Sequence, residues 1–87
     1  MSDLKLFVKR GDAAQAKALA MAVKEALSQC AGREMRIREF PAWGQEAERI
    51  GVLRPPAVAF GDEVIWAGSL PDPQRLASIL RSRLRRH

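Results

Sequence analysis

Few side chains in this sequence could carry nucleophilic, acid–base or metal chemistry. Cys30 is the only cysteine and His87 the only histidine, so an internal disulfide and a His/Cys metal cluster are both excluded. Asp12 has no His, Lys or metal partner in the pattern to activate its carboxylate. We therefore predict no catalytic residue, no metal and no cofactor.

Asp12 and Cys30 both have a structural interpretation. Asp12 is a favoured helix N-cap, and Gln15 stands at the spacing of a capping box, which favours capping over an acid–base role. Cys30 falls on the apolar stripe of the following helix, so we predict a buried thiol that packs rather than reacts.

Other side chains leave alternatives open. Lys9 and Arg10 precede a helix start that could accept an anion, although Asp12 already places a negative charge there. Trp43 lies in a predicted loop and Trp66 on a predicted edge strand. Each indole either covers the core or contacts a partner, since Trp is enriched at interface hot spots, and Trp43 is the better candidate for a contact.

Length and charge restrict the class of protein. The chain has 87 residues, 47% of them hydrophobic, and a net charge of +5, which suits one modest core and a single domain over residues 1–87. Charges interrupt the first twenty residues and no later stretch is long enough to span a bilayer, so we expect a cytoplasmic protein without membrane contact.

Arginines crowd the C-terminal segment, at Arg75, Arg81, Arg83, Arg85 and Arg86. A solvated helix end that complements the helix dipole explains them, and nucleic-acid binding is the alternative.

Apolar spacing and turn residues predict the element order βαβαββα and a mixed sheet with helices on its faces. Asp12 and Asp72 mark two helix starts, with Pro73 at the first helical position, and Gly32 and Gly51 mark helix ends. The predicted elements are strands Leu4–Arg10, Glu34–Phe40, Ala57–Phe60 and Val64–Ala67, and helices Ala13–Cys30, Gln45–Ile50 and one beginning at Pro73. Gly61 to Glu63 joins the last two strands as a hairpin turn.

The stretch Arg54 to Ser69, RPPAVAFGDEVIWAGS, resembles the thioredoxin-like superfamily in its small, glutaredoxin-sized form. The resemblance rests on Pro56 before the third strand, Gly61-Asp62 in the hairpin and Gly68-Ser69 before the last helix. It implies a thioredoxin-like βαβαββα fold, a four-stranded mixed sheet with helices on both faces and a cis-proline, Pro56, before strand 3. The N-terminal domains of glutathione transferases and KaiB-type clock proteins show weaker similarity.

The resemblance also makes clear which chemistry is missing. Redox members of the superfamily carry Cys-x-x-Cys, or a single Cys, at the first helix start, where the helix dipole lowers the thiol pKa. The corresponding residues here are Asp12-Ala-Ala-Gln15, so dithiol–disulfide exchange is excluded.

The resemblance therefore implies a binding function without thiol chemistry. In the redox relatives an extended peptide is held beside the cis-proline. The matching surface here comprises Arg10, Gly11, Asp12, Ala13, Trp43, Arg54, Pro55, Pro56 and Ala57. We expect a protein or extended-peptide partner there, and pairing of two copies through the Val64 to Ala67 edge as a second route.

An enzymatic alternative is a glutathione-binding or transferase-like activity. It would need a Tyr, Ser or Cys near the first helix to activate the thiol, but the chain has no Tyr, and Ser2 and Ser28 are badly placed. The third alternative is nucleic-acid binding through the arginine-rich C-terminal helix.

Overall fold

The computed structural model describes residues 3–30, 35–52 and 54–85. Within these ranges the chain forms a four-stranded sheet in the order β2-β1-β3-β4 and three helices. In chain order the elements are β1 Leu4–Val8, α1 Ala13–Ser28, β2 Ile37–Pro41, α2 Gln45–Ile50, β3 Ala57–Phe60, β4 Glu63–Ala67 and α3 Pro73–Leu84. The predicted βαβαββα order is confirmed.

The sheet is mixed, as predicted. β1 runs parallel to β2, with Leu4 opposite Ile37 and Val8 opposite Pro41. β3 is antiparallel to β1, and β4 is antiparallel to β3. The α1 connection between β1 and β2 explains their parallel pairing, because parallel neighbours need a crossover that a short turn cannot supply.

Two apolar clusters lie on opposite faces of the sheet. Alternate residues of β1, Leu4, Leu6 and Val8, pack with α1 and α3. Phe7 points to the other face and packs with Ala47 of α2 and with Ala57 and Ala59 of β3. The strand is buried on both sides, and this is why its sequence is apolar at nearly every position.

The helix signals agree with the structure at three of the four predicted ends. Asp12 and Asp72 accept N-terminal N–H groups of α1 and α3, and Gly51 ends α2 in the left-handed conformation at φ +90°. The end of α1 was predicted wrongly: the helix stops at Ser28 with Gln29 as its C-cap, two residues before Cys30. Gly32, the predicted end signal, lies outside the described residues.

Strand boundaries differ more than helix boundaries. β1 ends at Val8, not Arg10, because the Asp12 N–H donates to the Lys9 carbonyl and Gly11 turns the chain at φ +83°. β2 begins at Ile37 and continues through Pro41, a residue predicted to be in a loop. Glu34, the predicted start, lies outside the described residues.

The hairpin turn is shorter than predicted, since Glu63 already belongs to β4 and only Gly61 and Asp62 connect the strands. Gly61 has a φ of +62°, which favours glycine at this turn.

The peptide bond between Pro55 and Pro56 is cis. β3 begins at the next residue, Ala57. On the far side of the hairpin, the Gly68 N–H donates to the carbonyls of Arg54 and Pro56 at 3.3 and 3.1 Å. Gly68 has a φ of +92°, so this close approach of two backbones falls at a position that favours glycine.

Candidate binding surface

The carboxyl ends of β1 and β2 lie side by side, and a groove of about 350 Å³ opens between them and the start of α1. It is lined by Val8, Lys9, Arg10, Gly11, Asp12, Ala13, Ala16, Glu39, Phe40 and Pro41. The parallel crossover explains this location, because the chain leaves β1 at the edge where β2 also ends. Four predicted site residues, Arg10 to Ala13, therefore share one groove.

A second groove of about 290 Å³ adjoins the first. Its lining consists of Arg10, Pro41, Ala42, Trp43 and Gly44, so Arg10 and Pro41 belong to both grooves. The Trp43 side chain is 63% exposed and does not cover the core. The structure thus brings the helix start and the Trp43 loop together, as the sequence interpretation requires.

Hydrogen bonds from backbone N–H groups to the Asp12 and Gln15 side chains stabilise the start of α1. Asp12 Oδ1 accepts the Gln15 N–H at 2.9 Å, as predicted for an N-cap. Gln15 stands at capping-box spacing but does not complete the box, because its Oε1 accepts the N–H of Lys9 at 2.9 Å. The Asp12 N–H, which a capping box would use, donates instead to the Lys9 carbonyl.

The proline corner lies on the same edge of the sheet but lines neither groove. Ala57 is opposite Phe7 in the antiparallel β1–β3 register. Pro56, which precedes Ala57 in the chain, therefore lies beside the end of β1. Arg54, Pro55, Pro56 and Ala57 are absent from both linings. Of the predicted surface residues, those at the helix start and Trp43 line two adjoining grooves. The proline corner lines neither groove and lies near them because β3 pairs with β1.

Cys30 is far from this surface, just beyond the other end of α1. Its side chain is buried, and Sγ lies 3.4 Å from the Ala26 carbonyl oxygen and 3.8 Å from that of Ala77. Burial raises the pKa of the Cys30 thiol, which disfavours the reactive thiolate. The prediction of a buried cysteine is confirmed.

The two tryptophans differ in their surroundings. Trp66 is half-buried on β4, packs against the α1–α3 side of the core and donates its indole N–H to the Ser69 carbonyl at 3.0 Å. Its indole covers the core. Trp43 is exposed and lines the smaller groove together with Arg10, so it does not cover the core.

The sequence interpretation missed a network of four charged side chains on the α2 side of the sheet. Lys5 of β1 is buried, and its Nζ lies 2.5 Å from Glu46 Oε2 and 3.1 Å from Asp62 Oδ1. Arg49 contacts the same two carboxylates, each at 2.7 Å. Only Glu46 and Arg49 are close in sequence, three residues apart on a helix.

These contacts shift the pKa values of the network. Hydrogen bonds from Arg49 and Lys5 lower the pKa of Glu46 to about 2, and the same two donors lower that of Asp62. The hydrogen bond to Glu46 raises the pKa of Lys5 against the opposing effect of burial. All four groups are charged and mutually paired at neutral pH, an arrangement that fastens α2 and the hairpin turn to β1.

Two of the C-terminal arginines make structural contacts. Arg83 forms a two-point ion pair with Glu63 of β4, at 2.9 and 2.7 Å, and Arg81 donates to the Gln29 carbonyl at 3.2 Å. Arg75 and Arg85 are exposed. Arg86 and His87 lie outside the described residues.

Neither a metal site nor a membrane-spanning helix is found in residues 3–30, 35–52 and 54–85. No grouping of three or more His, Cys, Asp or Glu side chains there could bind a metal ion. None of the helices in these ranges has the length and apolar character to cross a bilayer.

The chain was compared with known proteins by sequence and by structure. No protein-family model matches it, and neither does any curated protein or solved structure.

Proposed function

We propose that this chain is a cytoplasmic, redox-inactive thioredoxin-like domain that binds an extended segment of another protein. The sheet order β2-β1-β3-β4 supports the assignment, as do the parallel β1–β2 pair and the antiparallel β3–β4 hairpin. The positions of the helices agree with it, since α1 and α3 pack on one face of the sheet and α2 on the other. Fold alone does not determine function, so the proposal rests on the site.

The start of α1 supports binding without thiol chemistry. Where redox relatives use helix N–H groups to stabilise a thiolate, Asp12 occupies the position of the first cysteine and accepts the Gln15 N–H. Cys30 is buried near the opposite end of the helix. A disulfide of a partner would therefore meet a carboxylate at this surface instead of a nucleophile.

The observation that carries the proposal is the exposed Trp43 beside Arg10. Both side chains line the smaller groove, and Arg10 also lines the larger one. Arg10 is exposed and, among the described residues, forms no ion pair. An indole with an unpaired guanidinium next to it offers apolar area together with a charge-assisted hydrogen bond.

This chemistry indicates the kind of segment that binds. An apolar side chain would lie against the Trp43 ring, and a neighbouring Asp or Glu would pair with Arg10. The proline corner contributes differently from that of the redox relatives. Pro55 has no N–H, so the residue before Pro56 accepts hydrogen bonds from a bound strand but cannot donate one.

A peptide-display selection tests the proposal. Random linear peptides selected on the wild-type protein should be enriched in an aromatic or aliphatic residue next to Asp or Glu. Trp43→Ala should weaken a selected peptide at least about tenfold, the scale of a hot-spot residue. Arg10→Gln should weaken it less at high salt than at low salt, because salt screens exposed charges. Titration calorimetry measures both effects.

Met21→Ala is the matched control, since Met21 is 62% exposed against 63% for Trp43 but lies on α1. It should bind the selected peptides like the wild type. Selection of no peptide that depends on Trp43, or equal losses in the two variants, would contradict the proposal. Glutathione binding with NMR shifts at Ala57 and Ser69 would replace it with the glutathione alternative.

A further inference from the structure

The outer surfaces of α1 and α3 carry a group of exposed basic side chains. We call this surface the basic helical face and define it by Lys17, Lys24, Arg75, Arg81 and Arg85. Glu25 is the only Asp or Glu in the sequences of α1 and α3. The N-caps Asp12 and Asp72 precede the two helices, so the excess of positive charge is small on α1 and largest on α3 and Arg85.

The two helices form one continuous surface because they pack against each other over the same side of the sheet. Leu19 and Val23 of α1 share a buried cluster with Leu76 and Leu80 of α3. Arg81 bridges the helices by donating to the Gln29 carbonyl at 3.2 Å. At 1.5 Å rise per residue, α1 is about 24 Å long and α3 about 18 Å.

Within the described part of the chain, the five side chains that define this face have no carboxylate partner, although Arg83 on the same helix as Arg75 is paired with Glu63. On the α2 side, Lys5 and Arg49 are both paired with Glu46 and Asp62. Among the described residues, none of the five side chains of the basic helical face forms an ion pair. The bond from Arg81 goes to a neutral carbonyl, so its charge remains available. Such an uncompensated field attracts polyanions.

We propose that the basic helical face binds the phosphate backbone of a nucleic acid. A lipid surface fits less well, because helices that enter a bilayer interface present large apolar side chains to it. The leucines of α3 contribute to the core instead, and Met21 is the one large, strongly exposed apolar side chain on the described part of these two helices. With no aromatic side chain on the face, recognition is through phosphates and not through stacked bases.

Fluorescence anisotropy with labelled 20-mer single- and double-stranded DNA and RNA, from 50 to 200 mM salt, tests this proposal. Wild-type affinity should fall steeply with salt as counterions are released. The double variant Lys17→Gln/Arg75→Gln removes one charge from each helix. It should reduce the slope of log K against log salt by about two, or one for each phosphate that the variant no longer neutralises.

Arg36→Gln/Arg54→Gln is the matched control, because both side chains are exposed, lie outside α1 and α3 and, among the described residues, form no ion pair. Its salt slope should equal that of the wild type. Absence of salt-dependent binding, equal slopes in the two double variants, or binding to phosphatidylserine vesicles but not to nucleic acid would overturn the proposal. Trp43→Ala should leave the anisotropy unchanged, so the result is independent of the peptide-binding proposal.

Discussion

At the scale of single residues, Asp12 shows how a side-chain hydrogen bond stabilises the start of α1. Its carboxylate accepts the Gln15 N–H at 2.9 Å, while Gln15 uses its own side chain to accept the Lys9 N–H. The Gln15 bond holds the segment between β1 and α1 against the helix. Together the two bonds fix the geometry of the groove that Arg10 and Gly11 line.

Asp12→Ala should destabilise the protein by about 1 kcal/mol, because it leaves a helix N–H without its side-chain acceptor. Urea denaturation followed by circular dichroism measures the loss. Asp12→Asn keeps an acceptor oxygen and should retain most of the stability. A loss in Asp12→Asn as large as in Asp12→Ala would show that charge near the helix dipole matters more than the hydrogen bond.

At the scale of elements, β4 combines an exposed edge with an irregular register. Val58 pairs with Trp66 but Ala59 pairs with Val64, so Ile65 is the extra residue of a β-bulge. Ile65 and Trp66 are consecutive, yet both pack against the α1–α3 side of the core. A bulge twists an edge strand and interrupts its row of free N–H and C=O groups, which protects it from pairing with another chain.

The bulge bears on the predicted pairing of two copies through Val64 to Ala67. Because pairing would have to continue past Ile65, we expect the protein to sediment as a monomer at micromolar concentration in analytical ultracentrifugation. A dimer that Ala67→Lys, at an exposed position of β4, converts to monomer, and that Met21→Lys does not, would support strand pairing through β4 and contradict this expectation.

At the scale of the whole molecule, the network of Lys5, Glu46, Arg49 and Asp62 connects β1, α2 and the hairpin turn. Its two carboxylates have pKa values below their ordinary ones. A group with a lowered pKa stabilises the fold above its unfolded pKa, and this contribution is lost as pH falls through the folded value. Lys5 has the opposite sign, so its contribution is lost at alkaline pH, above its ordinary value of 10.5.

Stability should therefore decrease as pH falls from about 4.5 towards 2, the interval between the ordinary and the lowered pKa of Glu46. Thermal melts across this range measure the decrease. Glu46→Gln should have a lower melting temperature at pH 7 and a flatter acid limb. Glu48→Gln is the control, an exposed carboxylate on the same helix, and its pH profile should follow the wild type.

Local sequence signals were enough to predict the ends of those elements whose ends depend on neighbouring residues. Pro73 after Asp72 fixed the start of α3, and the bounds of α2, Gln45–Ile50, agree with the prediction. Caps, prolines and glycines act within one helical turn, so their effect can be read without knowing the fold. Burial of Cys30 was predicted from an apolar helical stripe, but the residue lies beyond the end of α1 and is buried in the cluster that includes Ala77 of α3.

The candidate site could not be predicted from the sequence alone. The residue types at Arg10 and Trp43 suggested a surface, but their meeting in one groove depends on how β1 and β2 pair. The Lys5 network had no sequence signal of its own, because Lys5 is separated from Glu46 by 41 positions and from Asp62 by 57. Contacts between distant residues arise only when strand register brings them together. The sequence by itself therefore determined the order of the elements and the absence of a Cys-x-x-Cys pair, and the tertiary structure decided which charges are paired and which stay exposed.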